Sequence, residues 1–145
     1  MYAYTGARLA AGVISFEQVG KKLPNEVVQI PYQKPTVENG IAKGTIPVLD
    51  IQYGNVWTNI DKTTFQKLNA KNGDVLQVKI FHNQELVKEL KMPFVQTFSD
   101  VAEGKDLCYL NSLLNLSLGI NQQNFSDTYN VYSGAEWTVS VQKAN

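Results

Sequence analysis

"DIQYGNVWTNI" (residues 50–60) reads as two strand halves around a tight turn. Asp50 precedes Tyr53-Gly54-Asn55, and Val56-Trp57-Thr58-Asn59-Ile60 resumes an alternation of apolar and polar side chains. Gly54 admits a positive φ, so the turn itself needs little explanation. The carboxylate and amide beside it do, because a hairpin tip has no need of an aspartate just before it.

Outward from this stretch the chain continues in the same style. "TIPVL" (45–49), "DVLQVKIF" (74–81), "QELVKELKM" (84–92), "DLCYLN" (106–111), "LNLSLGI" (114–120) and "EWTVSVQ" (136–142) are strand-like. Asn72-Gly73, His82-Asn83 and Ser133-Gly134 mark turns between them. Many short antiparallel strands at this spacing predict a mainly β fold, a small antiparallel barrel or sandwich. Pro47 points to an edge or a strand start. "TTFQKLNA" (63–70) predicts a short helix capped by Thr63, and "NQQNFSDT" (121–128) a helical turn.

The first residues differ. "YAYTGARLAAGVISFEQV" (2–19) is rich in alanine and has helical spacing, with Gly12 as a stop and a second turn opening at Ser15. From Pro24 to Gly44 the prolines and glycines suggest a connector holding one short strand, "VVQI" (27–30). The expected organisation is a helical segment over 1–23, a connector over 24–44 and a β domain over 45–145.

Composition narrows the chemistry. Hydrophobic residues make up 43% and charged residues 18% of 145 residues, enough for a buried core. Lys+Arg and Asp+Glu are equal at 13 each, and Arg8 is the single arginine. No net field therefore draws the chain to nucleic acid or to an acidic membrane. One cysteine, Cys108, rules out an internal disulfide framework and suits a reducing, cytoplasmic setting. Cys108 alternates within a strand and reads as a small core residue, and His82 reads as an exposed turn residue. With one histidine and one cysteine, neither a Cys/His zinc site nor a Cys-His nucleophile has support.

What remains is a set of polar residues interrupting strands: Asp50, Tyr53 and Asn55, then Phe98, Asn111-Ser112, and Asn121-Gln122. Singly, each fits turn chemistry. Together, amides, a hydroxyl and a carboxylate beside aromatic faces describe the lining for a flat heteroaromatic ligand with a polar tail.

In this order the residues resemble the C-terminal domain of the S-adenosylmethionine hydroxide adenosyltransferase family, relatives of the fluorinases and chlorinases. The matching motifs are Asp50 with Tyr53-Gly54-Asn55 and Thr58-Asn59-Ile60, "TFSDVAEG" (97–104), Asn111-Ser112 and Gly119-x-Asn121. "YTGARLAAG" (4–12) resembles the helix closing that family's N-terminal α/β domain, so the resemblance implies the later part of a longer enzyme. The family's water-activating Asp-Arg-His group would lie in the preceding domain. Intact members are trimers with each site between one subunit's N-terminal domain and a neighbour's C-terminal domain.

Carried over, Asp50 would bind the methionine ammonium and Ser112, after Asn111, the carboxylate. Asn55 would read the adenine edge, completed by backbone near Asn121 and Gln122, with Tyr53 and Phe98 covering the ring faces. No metal or redox cofactor is implied, because a sulfonium is already a good leaving group. Leu113 and Leu114 stand where the halogenase relatives carry Arg and Gly, which favours hydroxide over halide chemistry. The reading from another class is a non-catalytic, OB-like binding or assembly module. Its nucleic-acid form is opposed by the zero net charge.

Overall fold

A computed structural model describes residues 2–29 and 32–144. The chain divides into two compact units, Met1–Ile30 and Pro31–Asn145. In the first, α1 (Tyr2–Ala10) buries no side chain, and a 3-10 turn over Phe16–Gln18 follows Ser15, whose N–H donates to Gln18 Oε1 at 2.9 Å. Residues 27–29 form no strand, and the rest of the expected "VVQI" strand lies outside the described residues.

The second unit is built from two antiparallel sheets. The first comprises β1 (Thr36–Glu38), β2 (Ile41–Ile46), β5 (Val75–His82), β6 (Glu85–Pro93) and β9 (Gly134–Lys143), in the order β1-β2-β9-β5-β6. The second comprises β3 (Val48–Asp50), β4 (Asn55–Asp61), β7 (Asp106–Leu110) and β8 (Asn115–Ile120), in the order β3-β4-β8-β7. The sheets are not closed on each other, so the arrangement is a sandwich and not a barrel. Strand alternation alone serves both, since each buries one face per strand.

Two strands begin earlier than the sequence reading placed them, because β1 and β2 occupy part of the stretch taken as a connector. The chain changes sheets at Pro47. With no N–H, proline cannot continue the β2 ladder, so the "TIPVL" run breaks into the end of β2 and the start of β3. Just before it, the Thr45 N–H donates to Asn59 Oδ1 at 2.8 Å, and Asn59 Nδ2 donates to the Gln33 carbonyl at 2.6 Å.

The core lies between the inner faces. Ile46, Leu76, Val78, Ile80, Met92, Val139 and Val141 meet Val56, Ile60, Cys108, Leu116 and Leu118, all essentially inaccessible. Each large side chain so buried contributes about 1.5–3 kcal/mol relative to exposure. Burial pushes the Cys108 thiol well above its ordinary pKa, which keeps it protonated and unreactive.

Two short helices pack on β4 and β8. α2 (Lys62–Gln66) is capped by Asp61, which accepts the Thr64 N–H at 2.7 Å, and not by Thr63. The cap shifted because β4 runs to Asp61 and delivers that carboxylate to the first turn. α3 (Phe125–Tyr129) is capped by Asn124. His82 ends β5, with the turn falling on Asn83 and Gln84 at φ 49° and 69°. Its ring stacks on Trp137 at 4.5 Å, so it is half-buried and not a free turn residue.

Candidate functional site

The four-stranded sheet has an outer face whose composition follows from its inner one. Val56, Leu118 and Cys108 are in register and fill the core. Their neighbours Asn55, Trp57, Ser117, Gly119 and Tyr109 therefore face outward, because successive side chains alternate. Asp50 pairs with Asn55, Trp57 with Ser117, and Ser117 with Tyr109. A polar and aromatic strip thus crosses the sheet.

At one end of this strip the turn after β3 is tightly held. The Asp50 carbonyl accepts the N–H groups of Tyr53 at 3.2 Å and Gly54 at 2.7 Å. Gly54 sits at φ 71° against the Asn124 side chain, and its carbonyl accepts the Ser126 N–H at 3.0 Å. Asn55 is only 4% exposed. Its Nδ2 donates to Asp50 Oδ2 at 3.4 Å, which orients the amide because a carboxylate can only accept. Asn55 Oδ1 is left buried with no partner among the described residues.

Phe98 reaches the same place from a distant loop. A 3-10 turn over Phe98–Asp100 is closed by Asp100 Oδ2, which accepts the N–H groups of Thr97 at 2.9 Å and Gln96 at 3.2 Å. The Phe98 ring meets Tyr109 edge-on at 5.0 Å. Gly119 is the floor beneath both groups, since a Cβ there would lie 2.6 Å from Asn55 Oδ1 and 3.2 Å from the Phe98 ring.

The Thr97 N–H holds the Asp100 carboxyl below its ordinary pKa, and proximity to that backbone outweighs desolvation. A depressed carboxyl stabilises the fold above the unfolded value of ~3.9, and that contribution is lost as pH falls through the lower folded value. The Phe98 ring resonances are accordingly expected to move below about pH 3.9 with the Asp100 carboxyl titration, and Asp100→Asn is expected to abolish that step.

Tyr53, Asn55, Phe98, Asn121 and Gln122 line one open cleft of about 650 Å³, with Asp50 joined to it through Asn55. That size suits a nucleoside-sized ligand. Tyr53 stands at the rim, 63% exposed. Asn121 is engaged with the protein: its Nδ2 donates to the Val101 carbonyl at 2.9 Å, and its backbone bonds Gly104 and Lys105. It ties the Phe98 loop to the end of β8. Gln122 is exposed beside it at φ 61°.

Asn111 and Ser112 do not line the cleft. They lie in the β7–β8 turn, about 13 Å along β8 from Gly119 at ~3.3 Å per residue. The Asn111 amide is taken up by that turn, donating to Ser117 Oγ at 3.0 Å and accepting the N–H groups of Leu113 and Asn115. Ser112, Leu113 and Leu114 are exposed at the tip. Between the two ends lie Trp57 and Tyr109, which the sequence reading did not single out. Alternation from Val56 and Ile60 already places Trp57 outward. Burial pushes the Tyr109 phenol up, with the Asp50 charge adding to this and the Trp57 and Ser117 donors opposing it. Among the described residues no three His, Cys, Asp or Glu side chains gather as a metal site. No described helix is long and apolar enough to cross a membrane.

Residues 44–138 match the family model of the SAM hydroxide adenosyltransferase C-terminal domain. The chain belongs to this family. It is similar to the fluorinase of Actinoplanes sp. (strain N902-109), 36% identical over 147 residues, which cover 99% of this chain and 47% of that protein. It is likewise similar to the fluorinase of Nocardia brasiliensis (strain ATCC 700358 / HUJEG-1), 33% identical over 97% of this chain and 46% of that one. The chain thus spans about half the length of the curated relatives it matches. Among solved structures, an uncharacterized conserved protein from Thermotoga maritima superposes with a TM-score of 0.73 at 30% identity, over 94% of this chain and 48% of that one. A conserved hypothetical protein from Thermus thermophilus shares the fold, with a TM-score of 0.54 at 22% identity over 95% of this chain and 48% of that one. The matched region contains the whole cleft and strip.

Proposed function

We propose that this chain supplies the nucleoside-binding part of an enzyme that hydrolyses S-adenosylmethionine to adenosine and methionine. The observation that carries this reading is the buried Asn55 Oδ1 at the floor of the cleft beside the Phe98 ring, with no partner among the described residues. An exocyclic adenine amine is a donor that such an acceptor lacks. Phe98 covers a face of the base, an interaction typically of ~1–3 kcal/mol. Asp50 holds the ammonium of the tail by a charge-assisted hydrogen bond.

In the reaction, water attacks the ribose C5′ in line with the sulfonium. The new O–C5′ bond forms as the C5′–S bond breaks, the electron pair passes to sulfur, and water loses a proton. Methionine leaves as a neutral thioether. This chain contributes binding and orientation, which lower a barrier without any acid or base of its own. Water activation belongs to a preceding domain of a neighbouring subunit in a trimer. Leu113 and Leu114, in place of the Arg and Gly of halogenase relatives, favour water over halide.

A product assay tests this division. The 145-residue chain alone is expected to release no adenosine from S-adenosylmethionine, whereas a protein of the relatives' full length carrying it is expected to turn over. Release by the isolated chain at the longer protein's rate would place the water-activating groups here. A 5′-halogenated nucleoside formed in the presence of halide, with no adenosine, would sink the hydrolytic reading.

A further inference from the structure

The five-stranded sheet has an outer face of its own, and one part of it is hollowed. Ala42, Ile46, Val78, Ile80, Val139 and Val141 are buried in the core, so the residues between them on β2, β5 and β9 point the other way. Register sets these in two rows. Thr36, Lys43, Ser140 and Lys79 form one, and Thr45, Thr138 and Phe81 form the next. A groove of about 420 Å³ lies over them, on the other sheet from the nucleoside cleft. Gln33 and Lys34 make one wall, which is fixed because the Gln33 carbonyl accepts Asn59 Nδ2 at 2.6 Å. Gln84, in the turn after β5, also lines the groove.

Charge here is one-sided. Lys34 and Lys43 line the groove, no described Asp or Glu does, and neither lysine pairs with a described carboxylate. Glu89, at the far end of the Lys43 row, is already engaged by Lys79 at 3.7 Å and by the Gln77 amide. Thr45 supplies a second observation. It is 8% exposed, its N–H is taken by Asn59 Oδ1, and its hydroxyl bonds no group among the described residues. A hydroxyl so enclosed ordinarily has a protein partner. The little exposure that Thr45 keeps is to the groove it lines.

We propose that this groove binds a small phosphate monoester, with the phosphate on Lys43, Lys34 and the hydroxyls of Thr45, Thr138 and Ser140, and the organic part against Phe81. Ammonium groups act as compact point charges and hydroxyls rotate to suit, so together they match the several oxygens of a phosphate. A planar carboxylate is better met by an arginine fork, and the single arginine, Arg8, belongs to the other unit. Neighbouring strands lie ~4.8 Å apart, which puts Lys43 within side-chain reach of an anion over Ser140. Phe81 is half-buried and offers the organic part an apolar surface. None of these residues lines the cleft, so the proposal does not depend on the nucleoside reading.

The test titrates the ¹⁵N-labelled chain at constant ionic strength with phenyl phosphate, inorganic phosphate, benzoate and benzyl alcohol. Phenyl phosphate is expected to shift the amides of Lys43, Thr45, Thr138 and Ser140 saturably, and to bind more tightly than either other anion. Benzyl alcohol is expected to leave them in place. Lys43→Gln is expected to weaken phenyl phosphate about tenfold and Thr45→Val about fivefold. Lys62→Gln, on α2 and outside the groove, is expected to change nothing. Lys43 is exposed, so its replacement leaves the fold intact even if Thr45→Val does not. Benzoate or inorganic phosphate binding as tightly as phenyl phosphate would overturn the proposal. So would equal losses in Lys43→Gln and Lys62→Gln, which would reduce the effect to general charge attraction. Shifts confined to the Tyr53 and Asn55 amides would place the anion in the cleft and overturn it too. The nucleoside reading stands or falls separately, on adenosine binding.

Discussion

Replacing Asn55 by alanine in the enzyme carrying this domain is expected to weaken nucleoside binding by about 1–3 kcal/mol, the cost of a lost buried hydrogen bond. Thermal stability is expected to change little. The free protein takes only one long bond from this side chain, 3.4 Å to Asp50, and its Oδ1 has no partner among the described residues. Truncation therefore removes an unsatisfied acceptor along with that weak contact, and the two effects oppose each other. A residue retained for turn chemistry would behave in the opposite way. Its loss would lower the melting temperature and leave adenosine affinity as it was. Calorimetric titration beside a thermal melt separates the two, and unchanged affinity with a lower melting temperature would defeat the assignment of Asn55 to the ligand.

Gly54→Ala is expected to lower both stability and affinity. The φ of 71° lies in the left-handed region, where an L side chain costs about 1–2 kcal/mol. The added Cβ would also overlap the Asn124 side chain. Asn124 cannot withdraw freely, because its Oδ1 caps α3 through the Asp127 N–H at 2.9 Å and its Nδ2 donates to Asp127 at 2.7 Å. Overpacking of this kind typically adds ~1–3 kcal/mol. The backbone would relieve it by moving the Tyr53–Asn55 turn, which carries the amide out of the cleft. Denaturant unfolding and nucleoside titration should therefore both report the change. A variant with wild-type stability would show that the turn and the α3 cap are not packed as described.

Much of the sandwich follows from local pattern. The alternation of Val56 and Ile60 with Trp57 and Asn59, and of Leu116 and Leu118 with Ser117, already states which face of each strand meets the core. Cys108 is buried for the same reason. Local pattern does not say whether the edges of two sheets join, and so barrel and sandwich read alike until the hydrogen-bond partners of β1, β3, β6 and β7 are known. Nor does it say where a strand stops and a helix begins. Asp61 and Thr63 are both adequate caps, and the length of β4 chooses between them.

The site shows the same division at the level of single atoms. Residue types and their order were enough to group Asp50, Tyr53, Asn55 and Phe98, and to relate them to one family. Whether a given amide is free depends on what else arrives beside it. Asn59 and Asn55 stand on one strand, and both are buried. Asn59 is occupied at both ends by the Thr45 N–H and the Gln33 carbonyl, because β2 and the segment before β1 pack over it. Asn111 is occupied by its own turn, and Asn121 by the Val101 carbonyl of the Phe98 loop. Asn55 is covered instead by Gly119 and Phe98, neither of which can donate from a side chain, and its oxygen has no partner among the described residues. A sequence states which polar groups exist, but hydrogen bonding is settled between residues remote along the chain, so only the folded sheet decides which of them remain unmet.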